Sequence, residues 1–573
     1  MISKQLPRHF LIPIDEKTEQ SIQYLIKETI DKATNKEEKY SLNGKQIFLA
    51  PNNESDIEKR IQKAIKKLKT LKTFKGSNYH VLSDAKGEIG KILMVYRNND
   101  FLETEYNNFN YSHVYIDVLT KFYQIHDDKI DIITAAYEKN SEKVKDLNKA
   151  INILTPLTKL DQKRSFHKIL FQFNDYVLAK NTISDITPDN SFWVQDEYLI
   201  IKTMIGSVEK TLLIEPFDTS FNKSLGITKK LVDNNPKYLA VRSPLAFRAG
   251  NFIIGEDFVL IGIDEVFFRN QGLLKNGEND CRCLFYNERC EDEENCFGTT
   301  LRTFYRKLFG FGATETKKIY FIRSSPEACA MYPKPADLST DYDTQIHGEQ
   351  HSWDEKFYDW ISIYADESDE ARFQTIKQPI YHLDMFITYA GQTVYGRNIL
   401  VIGDPISGEP FHHPQTKIMK FLIDEIVDQL KEDFVIIRNP LPITYLDKFL
   451  GYNGEKKEWK RKWYLAAYNN CVVQIPNKIP KENNHSVNGK PIDNMPKPNK
   501  KVVFLPRFGS DFSAEKSETL DEAGDWSELK KYDLANQMLW EKLGFKVLLM
   551  TDYNHMAVNR GALKCMIKCL ERY

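Results

Sequence analysis

Three short segments hold side chains whose types and spacing could do chemistry. In SFWVQDEYLI (residues 191–200), Asp196 stands at the entrance of an apolar strand that begins after Glu197. In QPIYHLDMFIT (378–388), His382 and Asp384 are two apart in a strand-like run. Alternation at period two would point both to one face. An imidazole and a carboxylate on one face of an otherwise apolar strand are costly unless paired or functional. In VNRGALKCM (558–566), the small residues Gly561 and Ala562 allow close backbone approach just before Cys565. A thiol, an imidazole and carboxylates are the parts of nucleophilic catalysis assisted by an acid–base group. Each also has a structural reading: Asp196 as a turn or capping residue, His382 with Asp384 as a satisfied core pair, Cys565 as a small buried hydrophobe. The three together, in this order, point to chemistry.

These residues need a frame. From about residue 166, short apolar strands alternate with helical stretches. The expected strands are Tyr198–Thr203, Phe252–Ile254, Phe258–Ile263, Lys318–Ile322, Ile399–Ile402, Phe434–Ile437, Val502–Leu505 and Val547–Met550, with helices over Gln415–Lys431 and Leu529–Leu543. Such alternation argues for an α/β domain spanning 166–573. Two excursions interrupt it: a charged, cysteine-bearing stretch at about 270–296, and a Pro-, Asn- and Lys-rich loop at about 476–501. Residues 1–165 have a different texture and form a separate N-terminal domain, mainly helical or α+β. Within it, Ile57, Ile61, Ile65, Leu68 and Leu71 line one face of an amphipathic helix over Glu54–Phe74, and lysines cover the other face. A second helix is expected between Ile130 and Leu154. No fixed-period sequence repeat is present.

Composition narrows the class. The 573 residues are 42% hydrophobic and 28% charged with net charge −1, a soluble globular profile that disfavours a nucleic-acid binder. No apolar stretch approaches the ~18 residues that span a bilayer, and the first residues lack a secretory signal's apolar region. A cytoplasmic protein with mostly reduced cysteines is expected. There is no Gly-x-Ser-x-Gly elbow and no P-loop. His347 and His351 are four apart, but Glu349 is not beside the first histidine, unlike the zinc-protease pattern. Cys281, Cys283, Cys290 and Cys296 lack paired C-x2-C spacing. No metal site is assigned.

The ordered set resembles the arginine deiminase-like superfamily, which comprises arginine, agmatine and peptidylarginine deiminases, dimethylarginine hydrolases and amidinotransferases. Trp193-Val-Gln-Asp-Glu197 is closest to peptidylarginine deiminases. Arg248-Ala-Gly-Asn-Phe-Ile-Ile-Gly-Glu-Asp-Phe-Val-Leu-Ile-Gly262 resembles the family's small-residue strand and following hairpin. Tyr468-Asn-Asn-Cys471 and Leu505-Pro-Arg-Phe-Gly509 resemble segments that precede the terminal cysteine turn. The resemblance runs discontinuously from about 185 to 573. It implies a five-bladed α/β propeller of ββαβ modules.

The resemblance also implies a mechanism. Asp196 and Asp384 would grip a planar guanidinium through charge-assisted hydrogen bonds. Cys565 would attack its carbon, and His382 would protonate departing ammonia and then activate water, giving a ureido product. No cofactor is needed. Trp193, Gln195, Asn251 and Arg560 are candidate substrate walls, and Arg242 or Arg248 could hold a substrate carboxylate or serve as a surface ion-pair partner. The partner is a guanidinium compound, either protein or peptide arginine or a small molecule. Arg248 stands where enzymes of free arginine often carry a glutamate, which disfavours free arginine. Lys564 stands before the cysteine where histidine is common. An amidinotransferase and an inactive propeller scaffold with an N-terminal interaction domain are the competing readings.

Overall fold

A computed structural model describes residues 80–96, 112–126, 131–136, 170–172, 193–205, 208–216, 235–242, 247–263, 302, 305–306, 309, 317–323, 350–353, 378, 380, 382–406, 416–453, 456–477, 501–510, 522–523, 526–558 and 561–573. The expected helix at Glu54–Phe74, the cysteine-bearing excursion, His347 and Arg560 lie outside these residues, as does nearly all of the 476–501 loop. No helix among the described residues is long and apolar enough to cross a membrane.

In chain order the first elements are β1 (His80–Val81), β2 (Ile89–Tyr96), α1 (Ser112–His126), β3 (Asp131–Ala136), β4 (Leu170–Gln172), β5 (Leu199–Ile205), β6 (Val208–Glu215) and β7 (Tyr238–Arg242). There follow β8 (Phe252–Ile254), β9 (Phe258–Gly262), β10 (Lys318–Ile322), β11 (Gln350–Trp353), β12 (Ile387–Gln392), β13 (Asn398–Ile406), α2 (Thr416–Leu430), β14 (Val435–Asn453) and β15 (Lys456–Leu465). The last are β16 (Val472–Gln474), β17 (Val502–Arg507), β18 (Glu522–Ala523), α3 (Lys530–Lys542), β19 (Lys546–Asp552), α4 (Asn554–Val558), α5 (Leu563–Met566) and β20 (Ile567–Arg572).

Among the described residues these strands make five sheets, and all five share one motif. An antiparallel pair is extended by a third strand parallel to its second. The pairs and third strands are β5–β6 with β7, β8–β9 with β10, β12–β13 with β14, β16–β17 with β19, and β20–β2 with β3. The middle strand of each motif has neighbours on both edges. In β9 that strand reads FVLIG and is buried throughout, as a strand covered on both faces should be.

Successive modules touch. Gly250 N–H donates to Asp196 Oδ1 (3.1 Å), joining the first and second. The Phe258 ring meets Tyr389 edge-on at 5.1 Å between the second and third. Thr388 Oγ1 donates to Asn469 O (2.6 Å) between the third and fourth. Arg572 Nη1 donates to Val473 O (2.9 Å) between the fourth and fifth. Tyr238 Oη donates to Glu571 Oε1 (2.9 Å) between the first and fifth.

Helices cover the sheets. In α2, Met419, Leu422, Ile423, Ile426 and Leu430 recur at helical spacing, and all are buried. Each such side chain contributes about 1.5–3 kcal/mol by leaving water. The α3 helix buries Tyr532, Leu539 and Trp540 and is followed by Gly544 at φ +80°, a left-handed stop that favours glycine. Phe122 of α1 stacks on Phe504 of β17 at 4.0 Å.

One expectation is corrected. The helix expected from Ile130 begins instead as β3, whose DIITAA run pairs in parallel with β2. Its β-branched residues suit a strand packed beside a partner. So β2 and β3, from the region expected to be a separate domain, share a sheet with β20.

Candidate active site

Each module enters its first strand through a short turn. Asp196 lies in the 3-10 turn Val194–Glu197 before β5, and Gly250 and Asn251 in the turn Ala249–Asn251 before β8. Asp384 lies in the turn Leu383–Met385 before β12, with His382 at its first flank. Asn470 precedes β16, and Cys565 lies in α5 just before β20. Four of the turns are closed the same way, by an N–H bonded to the carbonyl three residues back: Asp196 to Trp193 (3.1 Å), Asn251 to Arg248 (3.0 Å), Met385 to His382 (3.3 Å) and Asn470 to Ala467 (3.0 Å). The turn bearing Asp196 touches those bearing Gly250 and Cys565, and the turn bearing Asp384 touches that bearing Gly250.

His382 and Asp384 therefore do not sit on one face of a strand, as alternation predicted. The chain is still turning there, and extended structure begins at Ile387. Asn251 forces the turn by accepting Leu383 N–H at 3.0 Å. Asn251 also exchanges hydrogen bonds with Gln378, at 2.9 and 3.3 Å, and is fully buried. It is thus placed as a brace under the His382–Asp384 turn.

Gly250 lies among three of the predicted residues. A Cβ there would stand 2.7 Å from Asp196 Oδ1, 3.0 Å from His382 Nδ1 and 3.4 Å from Asp384 Oδ2. His382 Nδ1 is 3.7 Å from Asp196 Oδ1. Asp384 is completely buried, and neither of its carboxylate oxygens has a hydrogen-bond partner among the described residues. Burial pushes its carboxyl up to about 7; Lys564 opposes the rise and Asp196 adds to it. A buried acceptor pair without donors is expensive to keep ionised.

Cys565 is also buried, and Asn470 holds it at two atoms. Asn470 Oδ1 accepts Cys565 N–H at 3.1 Å, and Asn470 Nδ2 lies 3.1 Å from Cys565 Sγ. Burial raises the thiol well above its usual range, and the Asp384 and Asp196 carboxylates raise it further. Hydrogen bonds from the Ala562 backbone and from Asn470 pull the other way.

The remaining predicted residues fall in different places. Trp193 packs on Gly561, where a Cβ would stand 2.5 Å from the indole ring, so close approach requires glycine. Gln195 is buried, and its carbonyl accepts Lys568 Nζ at 3.3 Å. It lines a small cavity with Asp84, Lys564, Lys568 and Cys569. Arg248 precedes the Gly250 turn in extended conformation. The Lys564 ammonium is 3.4 Å from Asp84 Oδ2. Burial pulls Lys564 down, but Asp84 and Asp384 outweigh it and hold the ammonium above its usual value. Lys564 also acts on Asp384, holding its carboxyl lower than burial alone would. Sequence reasoning did not single out Asn470, although it noted the segment Tyr468–Cys471. The signal was positional, because Asn470 holds the entrance turn of the one module to which no site residue had been assigned.

No protein-family profile and no curated protein matches the chain. Solved structures do. A C. jejuni agmatine deiminase is 11% identical with a TM-score of 0.40, over 86% of this chain and 96% of that one. A putative arginine deiminase from Porphyromonas gingivalis is 11% identical with a TM-score of 0.41, over 87% of this chain and 98% of that one. DDAH from Pseudomonas aeruginosa, solved as a mutant with citrulline, is 10% identical with a TM-score of 0.31, over 85% of this chain and all 100% of that one. These are proteins to which the chain is similar along most of its length.

Proposed function

We propose that this protein is a cysteine-dependent hydrolase that converts a guanidinium group to a ureido group and ammonia. One observation carries the reading: the buried Asp384 carboxylate, without a hydrogen-bond donor among the described residues, beside Asp196 and His382. A ligand that brings positive charge and several N–H donors would complete that site, and a planar guanidinium has both. On binding, its charge stabilises both carboxylates and lowers the cost of ionising Cys565.

The thiolate of Cys565 then attacks the guanidinium carbon, forming the C–S bond. His382 gives its proton to the departing nitrogen, the C–N bond breaks, and ammonia leaves a covalent amidino-thioether. Water loses a proton to His382 and attacks the same carbon. The C–S bond breaks, releasing the ureido product and the thiolate. Asn251 and Gln378 hold the His382–Asp384 turn, and Trp193 against Gly561 sets the turn before Cys565.

The five matched sheets and the contacts linking them in sequence support a closed five-bladed α/β propeller, with its five entrance turns converging on the site. On this reading the catalytic domain includes β1–β4, so its boundary lies before residue 80 and not near 165. Purified protein should release ammonia from at least one of arginine, agmatine, methylarginine or a peptidyl-arginine, and Cys565→Ala should abolish it. The preferred compound separates a peptide substrate from a small one, and an amidino product formed only with added amine would identify a transferase. Inactivity of the wild type on the whole panel would sink the proposal.

A further inference from the structure

The side chain of Asn470 makes contacts that leave its amide only one orientation. Oδ1 faces Cys565 N–H, which can only donate. Nδ2 lies 3.4 Å from Asp384 O, which can only accept. The group facing Cys565 Sγ at 3.1 Å is therefore the NH2, so the sulfur is the acceptor. The Asn470 carbonyl accepts Lys564 N–H at 3.1 Å, which fixes the residue before the cysteine as well. Asn470 is fully buried, so water does not compete for these bonds.

We infer that Asn470 is a catalytic residue that stabilises the Cys565 thiolate. An N–H donor aimed at sulfur binds a thiolate more strongly than a thiol, because hydrogen bonds to ionised groups are roughly twice as strong. Asn470 thus favours loss of the thiol proton where burial and two carboxylates resist it. Its bond to Asp384 O also ties the turn of the cation grip to the turn of the nucleophile, fixing where sulfur stands relative to the bound carbon. This rests on the reading of Cys565 as nucleophile, with the thiol proton passing to His382.

The test needs no turnover. Full-length wild type, Asn470→Ala and Asn470→Asp are alkylated with iodoacetamide across a pH series, and modification of Cys565 is quantified by peptide mass spectrometry. In the alanine variant the Cys565 titration should move up by about one pH unit, a roughly tenfold loss of thiolate at a given pH. The isosteric aspartate, which replaces the donor with a carboxylate, should move it further. Where an activity assay exists, kcat should fall by a similar factor with KM little changed. Should the alanine variant not melt cooperatively, the aspartate variant carries the test alone. A folded variant whose Cys565 titration superimposes on wild type would overturn the inference. Failure to hydrolyse any guanidinium would sink the hydrolase reading and leave this titration standing.

Discussion

Burial, together with the Asp384 carboxylate, raises the Cys565 thiol well above its usual range. The two residues sit on different entrance turns, joined by Asn470. Removing the charge of Asp384 should therefore ease ionisation of Cys565. In Asp384→Asn, alkylation of Cys565 should set in at lower pH than in wild type, while hydrolysis is lost. Asn470→Ala moves the same titration the opposite way. Opposite shifts from two neighbouring substitutions separate an electrostatic effect from general loosening, and peptide mapping of the alkylated cysteine measures both.

The unfolded Asp384 carboxyl ionises near 3.8, whereas burial in the native state pushes it up to about 7. Between these values the native state holds a proton that the unfolded chain has lost. Stability should then fall as pH rises through that window and be lowest above it. Asp384→Asn should melt higher than wild type at about pH 8, by the equivalent of a few kcal/mol, with the gap closing towards about pH 4. An alkylguanidinium should stabilise wild type more at about pH 8 than at about pH 5, and the asparagine variant much less. Thermal melts over a pH series decide this; equal melting temperatures at about pH 8 would refute it.

Gly250 leaves room for one thing at a time. Gly250→Ala would put a methyl group 2.7 Å from Asp196 Oδ1 and 3.0 Å from His382 Nδ1. Displacing either by even a fraction of an ångström misaligns the grip, so kcat/KM should fall on the order of 100-fold. Much of the fold lies elsewhere, so the loss in melting temperature should be small beside the loss in rate. Steady-state kinetics and a melt on the same preparation test the contrast.

Arg572 joins the last strand to its neighbours. Nη1 donates to Ala85 O and Gly87 O, both at 3.2 Å, and to Val473 O at 2.9 Å, while Nη2 donates to Asp84 O at 2.7 Å. Arg572→Met removes these bonds from a buried site; Ala85 O keeps the Ile475 N–H at 2.8 Å, and the other three carbonyls lose the arginine donor. A destabilisation of about 3 kcal/mol or more is expected by urea unfolding.

Much of this was written in the sequence, for identifiable reasons. The middle strands β9, β13 and β17 could be read because apolar runs such as FVLIG and NILVI are buried on both faces, whereas β6 and β2 were not among the expected strands. Helices α2 and α3 could be read because their apolar residues keep helical spacing. Asp196, His382, Asp384 and Cys565 stood out as polar or reactive groups beside apolar strands. The turn holding His382 was misread as strand because what bends it is Asn251, some 130 residues away in sequence. Asn470 was passed over because an asparagine before a strand is an ordinary turn residue until its partners are known. The pairing of β2 with β20 has no local signal, since it joins residues almost a chain length apart.

That long-range pairing carries a consequence for the timing of assembly. Cys565 immediately precedes β20, which docks on a strand translated hundreds of residues before it. On the ribosome the other four entrance turns emerge before the turn that bears Cys565. On the proposed function, a chain that has not yet paired β20 with β2 should lack activity, because the turn bearing Cys565 is set in place by that pairing.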